Sequence, residues 1–85
     1  MVTVRATLVA YLPAGTSLAV HAKADAPGAA WVEVPYLSSS AMTAGVMELT
    51  YELQDFAAER LRLRVTVHGG FNARPWATNL RAVVL

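Results

Sequence analysis

Met47-Glu48-Leu49-Thr50-Tyr51-Glu52-Leu53-Gln54 and, after a short break, Arg60-Leu61-Arg62-Leu63-Arg64-Val65-Thr66-Val67-His68 are the stretches whose reading decides the fold. Apolar and polar side chains alternate one by one in both. Successive side chains of a strand point to opposite faces, whereas a helix would need apolar residues at every third or fourth position. Each stretch is therefore expected to be an amphipathic strand, with Leu49, Tyr51, Leu63 and Val65 in the core and Glu48, Glu52, Arg62 and Arg64 outside.

The same period runs outward in both directions. Residues 2–12 put Val2, Val4, Ala6, Leu8, Ala10 and Leu12 on one face and Thr3, Arg5 and Thr7 on the other. Pro13, Ala14 and Gly15 break that run as a turn. Residues 17–24 face Leu18, Val20 and Ala22 inward against His21 and Lys23. Asp25-Ala26-Pro27-Gly28 has turn composition and leads into Trp31 to Leu37, so 17–37 reads as a hairpin. Residues 38–45, small and without alternation, are expected to be an exposed loop. Asp55 to Glu59 has room for one helical turn. After Gly69 and Gly70, the closing run alternates Trp76, Thr78, Leu80, Ala82 and Val84 against Asn79 and Arg81.

Six strands with one covered and one wet face predict an all-β chain, an antiparallel β-sandwich or jelly-roll-like barrel. Eighty-five residues suit one domain. With no cysteine, stability must come from packing. If the 47–54 and 60–68 strands pair directly, Glu52 stands opposite Arg62 and Glu48 lies diagonal to Arg64. If the connection crosses to the other sheet, the Arg row faces solvent or a partner.

Hydrophobic residues make up 55% of the chain and charged residues 15%, where a small domain's surface alone is about a quarter to a third charged. That surplus points to contacts with copies of itself or with neighbouring subunits. A net charge of +1 gives no footprint for nucleic acid. No signal peptide is visible at the alternating amino terminus, and no run reaches the ~20 apolar residues of a membrane helix.

Chemistry is poorly represented. His21 and His68 lie at outward strand positions without a Gly-x-Ser-x-Gly elbow, so no catalytic residue is assigned. Two histidines and six scattered acids give no metal-ligand spacing, and no cofactor is expected. Trp31 and Trp76, near strand ends, are expected to cap the core, and Phe71 is the aromatic expected to be most exposed. Tyr36, Phe71 and Trp76 are the candidates for a sugar-stacking platform, and Arg60, Arg62 and Arg64 for a contact stripe.

The order of Leu12-Pro13-Ala14-Gly15-Thr16, Val20-His21-Ala22-Lys23-Ala24-Asp25, Trp31, Gly45-Val46-Met47-Glu48-Leu49-Thr50-Tyr51, Arg62-Leu63-Arg64 through Gly69, and Pro75 through Leu80-Arg81 resembles that of small β-sandwich domains in the tail and baseplate proteins of tailed bacteriophages. More distantly, Trp31 after a turn and the Arg-rich strand look like galactose-binding-like sandwiches. The chain departs from the phage pattern at its hairpin, where an Asp-Gly turn would be usual. The resemblance implies a non-catalytic structural or assembly module of a virion, made in the host cytoplasm, whose partners are other structural proteins or itself as a homo-oligomer. The alternative is a carbohydrate-binding module for surface recognition, with a glycan partner. No binding residue of the family carries over.

Overall fold

The computed structural model describes residues 1–58, 60–69 and 74–85. Its strands are β1 (Val2–Tyr11), β2 (Ser17–Ala24), β3 (Val32–Val34), β4 (Tyr36–Thr43), β5 (Val46–Phe56), β6 (Leu61–His68) and β7 (Trp76–Val84). They form a four-stranded sheet in the order β4-β5-β1-β7 and a three-stranded sheet in the order β3-β2-β6, with antiparallel pairing throughout. The two sheets pack as a β-sandwich around the row that alternation assigns to the interior. Val4, Ala6, Leu8 and Ala10 of β1 meet Val20 and Ala22 of β2, Val34 of β3, and Leu49 and Tyr51 of β5. Val4, Leu8, Val20 and Val34 are the largest fully buried side chains, each contributing about 1.5 to 3 kcal/mol of burial. Leu63 and Val65 pack against this cluster and are partly buried. Burial raises the Tyr51 hydroxyl above the ordinary tyrosine range, with the Tyr36 phenol adding to the effect.

Turn chemistry follows the residues. Thr16 N–H bonds to Pro13 O at 3.1 Å across Ala14 and Gly15, where φ at Gly15 is +83°. Pro27 and Gly28 (φ +75°) occupy the middle of the next turn, closed by Ala29 N–H to Ala26 O at 3.3 Å. Both have the proline- and glycine-compatible geometry of type II turns. The expected hairpin is present as β2 and the short β3, with Val20 opposite Val34. Pro35 then carries the chain from one sheet to the other, and its carbonyl accepts the Glu52 N–H at 2.9 Å.

Several expectations are corrected. Residues 38–43 are strand, not loop: all eight residues of β4 are exposed on a sheet edge, so no buried face imposes alternation on them. The turn is only Ala44-Gly45, with φ of +45° and +81° between the paired Thr43 and Val46, the type I′ pattern of a two-residue hairpin. Residues 55 and 56 complete β5 instead of starting a helical turn. Asp55 takes φ +58° at a bulge, which turns Phe56 rather than Asp55 toward the core opposite Val2. A second bulge in β7, at Asn79 (φ +55°), inserts a residue between the Thr7–Arg81 and Val9–Thr78 pairs. It breaks the single face drawn for the closing strand: Ala82 and Val84 share the inner face with Ala6 and Val4, while Trp76 pairs with outward-facing Tyr11. Among the described residues, no helix is long and apolar enough to cross a membrane.

Candidate functional site

β5 pairs with β1 and β4, and β6 pairs with β2, so the connection between them crosses from sheet to sheet. Direct pairing of Glu52 with Arg62 is thereby ruled out. The acids find cations within their own sheet. Arg5 donates to Glu52 Oε1 from Nε at 3.0 Å and from Nη2 at 2.6 Å, and Arg81 donates to Glu48 Oε2 at 3.0 Å. The Arg5 hydrogen bonds, joined by one from Gln54, hold the Glu52 carboxyl below the ordinary glutamate range. The outer face of the larger sheet is thus a charge-matched surface.

The smaller sheet differs. Its β2–β6 register sets Lys23 opposite Arg62 and His21 opposite Arg64. Arg62 reaches Asp25 at 3.5 Å, both side chains being well exposed, an ion pair of little energetic weight. Trp31 does not cap the core. It lies half-buried beside this face, with the Lys23 ammonium 5.4 Å and the Arg64 guanidinium 4.5 Å from its ring centroid. Of the expected Arg stripe, Arg62 and Arg64 share this face. Arg60 precedes β6, exposed, and its carbonyl accepts the Asp25 N–H at 2.9 Å.

The aromatic candidates do not form one platform. Tyr36 packs edge-on against Tyr51, centroids 5.7 Å apart, beside the inner face, whereas Trp76 lies against Tyr11 at 6.3 Å on the outer side. Trp76 is exposed and is no more a core cap than Trp31. Phe71 lies outside the described residues. Among the described residues, no three His, Cys, Asp or Glu side chains gather as a metal-ligand set.

The remaining feature is an edge that alternation could not reveal. Leu80, Ala82 and Val84 follow the inner face of β7, yet all three are exposed, because the three-stranded sheet ends at β6 and does not cover them. Between β6 and β7 the sandwich is open along a cleft of about 250 Å³ lined by Leu8, Val65, Val67, Ala77, Thr78 and Leu80. Among the described residues, the main chain of β7 is equally open. Thr3 and Leu85 exchange both backbone bonds, at 2.9 and 2.8 Å, so the antiparallel alternation turns Ala82 and Val84 amides and carbonyls away from β1. Arg81 is the one charged residue of this strand, and Glu48 already holds it.

No family model matches the chain, and neither a curated protein nor a solved structure matches it.

Proposed function

We propose that this chain is a non-catalytic structural module that assembles through the open edge of β7, with a second copy of itself as the partner. The observation that carries this is the uncovered inner-face row Leu80, Ala82 and Val84 on a strand whose outward backbone groups are unpaired among the described residues. An exposed apolar edge is a template for strand addition, which natural proteins normally blunt with charge. This one presents a single arginine, already paired. Antiparallel pairing about Ala82 would set Leu80 against Val84 of the second copy and the reverse, the self-complementarity of a two-fold interface. The two larger sheets would then run on as one, and the second copy would cover part of the cleft.

The setting proposed for such a module is a virion particle, a phage tail or baseplate, with other structural proteins as further partners; the segment-by-segment resemblance supports it. Sedimentation equilibrium over a wide concentration range tests the assembly role. Mass should rise from monomer toward dimer, and a strictly monomeric chain at the highest concentration would remove the proposal's support. A second reading, a carbohydrate-binding module, has the outward-facing ring pair of half-buried Tyr11 and exposed Trp76 behind it. Tryptophan fluorescence unmoved across a panel of glycans would exclude it.

A further inference from the structure

We infer that the outer face of the β3-β2-β6 sheet is a second interaction site, built to take an extended acidic segment of a partner protein. Lys23 and Arg62 are direct register partners, as are His21 and Arg64, so three permanent cations share one small face. Like charges placed opposite one another destabilise a sheet, and the chain could avoid this with any neutral pair. Instead the two cations diverge: Arg62 leans to Asp25 and Lys23 to the Trp31 ring, leaving a hollow of about 310 Å³ lined by Lys23, Asp25 and Arg62. Trp31 draws Lys23 and Arg64 toward each other without neutralising either, since an aromatic face attracts cations through its quadrupole. Among the described residues neither cation meets a carboxylate.

The occupant follows from spacing and size. Arg62 and Arg64, two residues apart on one strand, are separated by roughly 6.6 to 6.8 Å of rise. Carboxylates at alternate positions of an extended peptide have the same repeat, and each guanidinium fork fits one carboxylate. A nucleic acid is a poorer match. Nucleic-acid binding typically draws on about six to ten phosphate contacts, whereas this cluster is three cations wide, flanked by Asp25 and Glu33 in a chain of net charge +1. The inference is independent of the β7 edge, on the other sheet, so either can fail without the other.

The test is calorimetric titration of the whole chain with an extended peptide carrying Glu at alternate positions, with its Gln counterpart and with a single-stranded oligonucleotide, while Trp31 emission is followed in a Trp76→Phe background. The Glu peptide should bind saturably and shift the emission, the Gln peptide should not bind, and added salt should weaken the complex. Arg64→Gln and Lys23→Gln should each weaken it about fivefold. Arg62→Glu combined with Arg64→Glu should switch preference to a Lys-bearing peptide, which also shows that the face still folds. Equal binding of the Gln peptide, no saturable response to the Glu peptide at low salt, or tighter binding of the oligonucleotide would overturn the inference.

Discussion

Ala6 and Ala82 are register partners on the same face of the same sheet, yet Ala6 is fully buried and Ala82 is exposed. Between them runs the boundary of the second layer. β2 and β6 cover β1 but stop short of β7, leaving core-type residues at the surface. The apolar surplus in the composition has its location here, together with the exposed edge β4.

The first prediction concerns that boundary. Ala82→Lys places an inward-pointing charge on the edge, a device natural sheets use against edge pairing. Because the site is exposed in the single chain, unfolding free energy of the monomer should change by no more than about 0.5 kcal/mol. Self-association should be lost. Sedimentation and urea denaturation of the same sample separate the two effects.

Two leucines on neighbouring strands should respond very differently to truncation. Leu8 is 1% exposed and Leu80 is 46% exposed. Leu8→Ala should cost about 2 to 5 kcal/mol, a large share of the roughly 4 to 13 kcal/mol available to a chain of this length. Leu80→Ala should cost the monomer under about 1 kcal/mol. Equal shifts in the urea midpoint would place β7 inside the core.

The β4–β5 turn has one residue suited to it and one that is not. Gly45 sits at φ +81°, and a Cβ there would come 3.3 Å from the Tyr11 ring. Gly45→Ala should therefore destabilise by about 1 to 2 kcal/mol. Ala44 adopts φ +45° with a side chain that gains nothing from it. Ala44→Asn should stabilise by about 1 kcal/mol, since asparagine tolerates the left-handed region and favours this turn. Thermal unfolding of both variants checks the opposite signs.

Acid stability should carry the signature of Glu52. Its folded-state pKa is depressed, chiefly by the hydrogen bond from Arg5. The pair therefore contributes fully above the unfolded glutamate value of about 4.3, and that contribution is lost as pH falls through the lower folded value. Arg5→Met should move the Glu52 carboxyl back up toward the ordinary range and flatten that part of the acid limb. Carboxyl NMR titration reads the first effect, and urea midpoints across the acid range read the second.

The layers were legible wherever one face of a strand is buried. Val4, Ala6, Leu8, Leu49 and Tyr51 alternate because the second sheet lies over them, and the sandwich follows from that pattern. β4 was illegible for the same reason, since Ser38, Ser39 and Ser40 have no buried face to mark. The bulges at Asp55 and Asn79 each shift the phase by one residue, which alternation cannot register unless the positive φ is known. Pairing was harder still. His21 and Lys23 were visible as outward-facing, but their juxtaposition with Arg64 and Arg62 depends on β6 joining β2 rather than β5. Cross-strand charge matching favoured the wrong neighbour, because the partners of Glu52 and Glu48 lie far away in sequence, at Arg5 and Arg81.

Amide hydrogen exchange at Ala82 and Val84, followed as a function of protein concentration, tests the assembly edge most directly. In the isolated chain their N–H groups point away from β1, while those of Arg81 and Val83 are bonded to it. At low concentration Ala82 and Val84 should exchange fast and Val83 slowly. Raising the concentration should protect Ala82 and Val84 in the wild-type chain, and Ala82→Lys should abolish that protection at position 84. Fast exchange at both positions at every concentration, with Val83 still protected, would contradict the account.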